Sequence, residues 1–208
     1  ENYIGRFKHP RHTVTIAMCG KYNRLHDAYK SIIEAFIHAG IENETHVKVK
    51  WIDTEKMESK GEGDDFFQQV DGILIPGGFG DRGIEGKIMA SRYARENNIP
   101  FFGICLGLQC AIIDFARNVC GLEGANSTEF EPECKYPVID LMPGQKNVKS
   151  KGATMRLGSY ICKLGDGTKA YKAYGQEDIH ERHRHRFEVN NKYRLQMEKD
   201  GLIISGEN

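Results

Sequence analysis

Hydrophobic and polar positions fall into alternating blocks along the first half of the chain. Residues 14–20 form an apolar run closed by Gly20, which reads as a buried strand ending in a turn. Residues 27–39 carry Ala28, Ile32, Ala35 and Phe36 at helical spacing, with Gly40 expected as the stop. Residues 47–52 alternate between apolar and lysine side chains, the pattern of a half-exposed strand. A loop is expected at 61–65 and a strand at 70–75, broken by Pro-Gly-Gly-Phe-Gly at 76–80. A helix is expected over 86–97, and an apolar stretch then leads into Cys105. Beyond it Leu106, Ala111, Ile112, Phe115 and Val119 recur at three- and four-residue spacing, with Asp114 and Arg117 between them. Strand and helix thus alternate through at least three cycles. The expectation is an α/β fold with a mostly parallel central sheet and helices on both faces.

The second half is less regular. Residues 143–152 form a polar loop with three lysines. Residues 153–158 suggest a loop running into a strand at 159–164; 184–189 suggest another strand and 202–205 a short last one. Residues 1–12 are charged, contain a proline and show no periodicity, so they are expected to be an arm or linker from a preceding domain, with 13–208 as one domain.

Composition narrows the function. The 208 residues carry 29 basic and 29 acidic side chains, so no net field draws in nucleic acid or an anionic membrane. No apolar run approaches the roughly 18 residues of a membrane span, and the first residues lack a signal-peptide core. The six cysteines, at 19, 105, 110, 120, 134 and 162, have no C-x-x-C spacing and no disulfide framework. A reduced, cytoplasmic protein is expected.

Chemistry concentrates at Gly-Ile-Cys-Leu-Gly, residues 103–107. A strand that turns sharply into a helix presents its corner side chain at the top of a sheet, and G-x-C-x-G is the thiol counterpart of the serine-hydrolase elbow. Amides at a helix N-terminus favour the thiolate, the nucleophilic form. A buried structural cysteine is the plainer alternative. Gly77 and Gly78 follow another strand, and successive glycines there turn backbone N–H groups toward a ligand. A thiolate facing such a turn is what acyl transfer needs, because the amides stabilise the tetrahedral oxyanion. The run is neither G-x-G-x-x-G nor a P-loop, which argues against a nucleotide phosphate cradle.

Taken together, these residues resemble the class I (triad) glutamine amidotransferases, a flavodoxin-like fold, and within them the C-terminal glutaminase domain of the CTP synthase family. The resemblance runs from about residue 13 to the end. It is carried by Gly-Lys-Tyr at 20–22, Asp-Ala-Tyr-Lys at 27–30, the runs at 76–80 and 103–107, Asn-Ser-Thr-Glu-Phe at 126–130, Thr-Met-Arg-Leu-Gly at 154–158 and Glu-Arg-His-Arg-His-Arg-Phe-Glu-Val-Asn at 181–190. It implies that Cys105 is the nucleophile on the glutamine side-chain amide, with the backbone of Gly78 and Leu106 as oxyanion hole. It implies that Gly77, Phe79, Gln109, Glu129 and Arg186 hold glutamine, and that Thr154 and Arg156 belong to a lid linked to activation by GTP. Glu129 suits an α-ammonium, and the Arg186 fork suits an α-carboxylate. It further implies a synthetase domain on the same polypeptide that binds UTP, ATP and Mg²⁺ and uses the ammonia, a homotetramer for the full-length protein, and no cofactor or metal in this domain.

One feature of the family is missing from these residues. Its histidine and glutamate lie in an H-P-E run near the C-terminus, and the only His-Pro here is His9-Pro10, followed by Arg11. The expectation is a domain that stops before that run, with C-terminal elements of the fold absent. His183 and His185 are not expected to substitute: in a strand they would share the face opposite Arg184 and Arg186. A metal site from His180, His183 and His185 is not expected either, as no ligand falls at zinc-finger spacing. Two other readings stay open, another elbow-cysteine hydrolase and a non-catalytic module that binds glutamine or a partner.

Overall fold

The computed structural model describes residues 3–20, 26–60, 64–78, 80–141, 158–183 and 185–208. They form two compact units, Glu1–Asp114 and Phe115–Asn208. The loop expected at 143–152 lies outside the described residues.

The first unit is built on a parallel sheet. Its elements are α1 (Tyr3–Lys8), β1 (His12–Gly20), a short helical turn (His26–Tyr29), α2 (Lys30–Glu42), β2 (Thr45–Asp53), α3 (Thr54–Lys60), a second turn (Asp64–Phe67), β3 (Gly72–Ile75), α4 (Ile84–Glu96), β4 (Phe101–Gly103) and the start of α5 (Leu106–Asn118). The strands lie in the order β2-β1-β3-β4, and every pair is parallel. Side chains alternate along a strand. Ala17, Cys19, Ile73 and Ile75 therefore share one face, where they pack in a cluster with Ala90 and Ala94 of α4. Met18 and Leu74 point the other way and are buried as well. Burial on both faces is why these strands read as unbroken apolar runs.

Several expectations change. Gly40 does not stop α2. A Cβ there would overlap the carbonyl oxygen of Thr45, so glycine is what lets the helix lie against the start of β2. The stop is Asn43, whose backbone N–H and side-chain Nδ2 both donate to the Ala39 carbonyl, at 3.0 and 2.8 Å. Ala28 and Ala35 are exposed, while Tyr29 is buried in their place. The segment expected as an irregular arm contains helix α1, whose Arg6 pairs with Glu42 and Glu44. Asp114, placed by its polarity between the apolar positions of α5, is 1% exposed and takes a two-pronged contact from Arg95.

The second unit is mixed. It holds β5 (Ala125–Ser127), β6 (Tyr136–Leu141), β7 (Gly158–Leu164), α6 (Lys169–Tyr174), β8 (Asp178–His183), β9 (Phe187–Val189), α7 (Asn191–Lys199) and β10 (Gly206–Glu207). Two three-stranded sheets have the orders β5-β6-β9 and β10-β7-β8; only the β5–β6 pair is parallel. The last strand lies at Gly206–Glu207, not at 202–205, and the strand expected from 184 begins at Phe187. Helices α6 and α7 were not expected from the sequence, although each is capped by its own residues. Thr168 Oγ1 accepts from the Tyr171 N–H at 3.1 Å, Asn190 Oδ1 accepts from the Lys192 N–H at 3.1 Å, and Gly175 closes α6 at φ +69°. No helix among the described residues is long and apolar enough to cross a membrane.

Candidate active site

Cys105 stands between β4 and α5 with φ +55°, a left-handed backbone that a side chain rarely adopts. Strain of this kind costs roughly 1–3 kcal/mol and persists only where neighbouring contacts enforce it. The enforcing contacts are visible. The Ile104 N–H donates to the Ile75 carbonyl at 2.9 Å, carrying the β3–β4 pairing up to the corner. Gly107 N–H then donates to the Ile104 carbonyl at 2.9 Å and Gln109 N–H to the Cys105 carbonyl at 3.2 Å, which starts α5 at once. The reversal is tight enough that a Cβ on Gly103 would stand 2.6 Å from the Leu108 nitrogen, and one on Gly107 would overlap the Ile75 carbonyl oxygen. The two glycines flanking the cysteine therefore let α5 fold straight back onto β3 and β4.

Gly77 and Gly78 follow β3 on the neighbouring strand. The position of a Cβ on Gly77 is 3.3 Å from the Cys105 Cβ and 3.9 Å from its Sγ, and that of a Cβ on Gly78 is 3.8 Å from Leu106 Cδ2. The glycine turn and the cysteine corner thus meet at the carboxyl edge of the sheet. Gln109 lies one turn into α5 and is buried. Cys105 itself is half-buried. Cys120 and Cys162 are half-buried too. Cys19 and Cys110 are wholly inaccessible. Burial pushes the thiols of Cys19, Cys120, Cys134 and Cys162 up, and hydrogen bonding to Asp200 adds to the shift at Cys120. Those four are held as thiols at neutral pH.

Glu129 and Arg186 belong to the second unit. Glu129 is exposed on the turn after β5. The turn is set by its neighbours: fully buried Ser127 accepts the Glu129 N–H on Oγ at 3.2 Å and the Phe130 and Glu131 N–H groups on its carbonyl at 3.1 and 3.0 Å. Asn126 Nδ2 donates to Glu131 Oε2 at 3.0 Å, and Thr128 Oγ1 to Asp140 Oδ1 at 2.8 Å. The Asn-Ser-Thr-Glu-Phe run is therefore mostly local architecture, and this supporting role of Ser127 and Asp140 was not read from the sequence. The signal available was the density of Asn, Ser and Thr, residues that hydrogen-bond nearby backbone.

Arg186 lies between β8 and β9, outside either strand. The face alternation expected for 183–186 does not apply, since Asp178–His183 ends β8 and Phe187 opens β9. His180 is exposed on β8 and His185 is half-buried. The Arg186 Nε is buried and has no hydrogen-bond partner. A buried donor left unpaired costs about 1–3 kcal/mol, and an anionic ligand would remove that cost. Phe79, Thr154 and Arg156 lie outside the described residues, as does the backbone of Arg184; the side chain of His183 is likewise not described. Among the described residues, no group of three His, Cys, Asp or Glu is placed to hold a metal ion.

Comparison with known proteins follows the same lines. The family model for glutamine amidotransferase class-I matches residues 24–208. The chain is 57% identical over 204 residues to a CTP synthase of Caldanaerobacter subterraneus subsp. tengcongensis, covering 98% of this chain and 38% of that protein. It is 57% identical over 211 residues to a CTP synthase of Methanocaldococcus jannaschii, covering 99% and 39%. The chain thus spans about two fifths of the length of these relatives. Among solved structures it resembles the glutaminase domain of Trypanosoma brucei CTPS with bound acivicin, at TM-score 0.83 and 38% identity, covering 93% of this chain and 74% of that one.

Proposed function

We propose that this chain, which belongs to the class I glutamine amidotransferase family, is the glutaminase part of a CTP synthase. Cys105 attacks the side-chain amide carbon of L-glutamine as a thiolate. The carbonyl π electrons move to oxygen, and the oxyanion is held by the backbone N–H groups of Gly78 and Leu106. Collapse of the tetrahedral species breaks the C–N bond. The nitrogen takes up a proton and leaves as ammonia, and the acyl group remains as a thioester on Cys105. Water then cleaves the thioester to glutamate and restores the thiol. The base that moves these protons is assigned to none of the 208 residues; in the family an H-P-E run supplies it.

The observation that carries this reading is the left-handed Cys105 set against the Gly77–Gly78 turn. The unpartnered Arg186 Nε supports a carboxylate ligand. Gly77, Phe79, Gln109 and Glu129 complete the proposed glutamine site, with Glu129 on the α-ammonium. Acivicin, bound in the Trypanosoma brucei domain, is expected to bind here too. In the whole protein a synthetase domain takes the ammonia for ATP- and Mg²⁺-dependent amination of UTP. GTP acts through Thr154 and Arg156, the assembly is a homotetramer, and six free thiols suit the cytoplasm. The test is glutamate release from glutamine by the purified protein and by Cys105→Ala. Activity that survives the substitution would sink the proposal. Cleavage of peptides in preference to free glutamine would favour the other hydrolase reading.

A further inference from the structure

In the strand order β2-β1-β3-β4 the chain leaves β1 toward β2 on one side and later enters β3 on the other. Such a reversal opens a crevice at the carboxyl ends of the two strands, the place where doubly wound sheets take their ligands. Here a side chain of the protein itself stands at that place. Tyr29 ends the helical turn His26–Tyr29 and is 5% exposed. Its hydroxyl oxygen lies 2.6 Å from where a Cβ on Gly20 would stand, and Pro76 Cγ lies 3.4 Å from the same point. Gly20 is the last residue of β1, and Pro76 follows the last residue of β3. The phenol oxygen and the proline ring therefore both flank the bare α-carbon of Gly20. The Tyr29 ring rests against Trp51 of β2, with centroids 5.8 Å apart and planes tilted by 33°. Pro76 is fully buried, and the residue after it is Gly77, which faces Cys105.

We propose that Tyr29 is a positioning residue for the cysteine site. It fills the β1–β3 crevice, fixes Pro76 in place, and so sets the Gly77–Gly78 turn against Cys105 and Leu106. Filling the crevice has a second consequence: the substrate is displaced one strand over, to the β3–β4 edge where the thiol stands. Gly20 belongs to the same device, since any side chain there must push the phenol oxygen. This inference rests on Cys105 being the nucleophile of a glutaminase.

The test compares two reagents on Cys105. A chloroketone analogue of glutamine reads the assembled pocket and oxyanion turn, while iodoacetamide reads the thiol alone. Gly20→Ala adds bulk at the contact, and Tyr29→Leu removes the phenol without adding any. Each is expected to slow the chloroketone about tenfold and to leave iodoacetamide within about twofold, since small misplacements of a reacting group are costly. Adding Tyr29→Phe to Gly20→Ala removes the oxygen that the new methyl meets, and most of the chloroketone rate returns. If both reagents slow in parallel with a lowered melting temperature, Tyr29 serves the fold alone and the inference is overturned. Unchanged chloroketone rates in Gly20→Ala and Tyr29→Leu overturn it equally. A wild-type protein that takes iodoacetamide at Cys105 but refuses the chloroketone overturns the glutaminase reading itself, a separate outcome.

Discussion

Gly77 and Cys105 face each other across the carboxyl edge of the sheet, with 3.3 Å between the cysteine Cβ and the position a Cβ on Gly77 would take. A contact that tight is uncommon for a Cβ, so Gly77→Ala is expected to fold but to move the corner by a few tenths of an ångström. Because the proposed nucleophile and the proposed oxyanion donor Gly78 sit on the two sides of this contact, glutamine hydrolysis should fall by about 10- to 100-fold. Steady-state rates beside a thermal melt check it; a full rate in the variant would show that the turn does not set the reacting geometry.

Arg186 sets binding against stability. Its buried Nε has no partner, so Arg186→Met removes an unsatisfied donor. The expected outcome is stability that holds or rises by about 1 kcal/mol. At the same time KM for glutamine should rise about 100-fold, from loss of the carboxylate grip. Denaturant unfolding and KM are the two measurements. A destabilised variant with unaltered KM would make Arg186 structural.

Arg95 and Asp114 form a buried pair whose two members are unequal. Arg95 donates from Nε and a terminal nitrogen to both Asp114 oxygens, at 2.9 and 3.2 Å. The Asp114 side chain is 1% exposed and that of Arg95 30%. The hydrogen bond to Asp114 holds the guanidinium pKa above its ordinary value. Arg95→Met takes both of these hydrogen bonds from an interior carboxylate and should cost about 3 kcal/mol. Asp114→Leu leaves a guanidinium that reaches water and should cost distinctly less. Equal losses in urea titrations of the two variants would contradict this asymmetry.

Alkaline stability should carry a signature of Cys19. Burial holds its thiol far above the ordinary value of 9.0 in the folded protein. The unfolded chain releases that proton near pH 9 while the folded one keeps it, so fewer protons are bound when unfolded. Stability therefore falls as pH rises above 9, by up to about 1.4 kcal/mol per pH unit from this group. Below pH 9 its contribution is fully present. Cys19→Ala should flatten the slope between pH 9 and 10.5, and the difference between the two unfolding curves isolates the effect from lysine and tyrosine titration.

The cysteine corner was legible in the chain because its constraints are local. The elbow at Cys105 is written in five consecutive residues, since a corner that tight excludes any Cβ on either flank. The parallel strands were legible because two buried faces demand continuous apolar runs. The second unit was harder. Its antiparallel strands are short and half-exposed, and β8 carries one apolar residue, Ile179, among polar and charged ones. The strand expected over 184–189 is observed at Phe187–Val189, since the polar residues before it carry no periodicity that separates strand from connection.

By itself the sequence determined the α/β alternation, the cysteine corner and the glycine turn that answers it, since each depends on backbone geometry that few residues permit. Other matters needed the tertiary structure. Gly40 looked like a helix stop and became a packing contact, because only the path of β2 puts a carbonyl oxygen where its Cβ would be. Asp114 looked like a surface charge and became a buried one, because Arg95 arrives from another helix. Tyr29 was not among the inward positions expected of the helix, and only the fold sets its ring against Trp51 and its oxygen beside Gly20. In each case the deciding neighbour is brought in by the fold, and a linear pattern records spacing along the chain but not which atoms fill the space beside it.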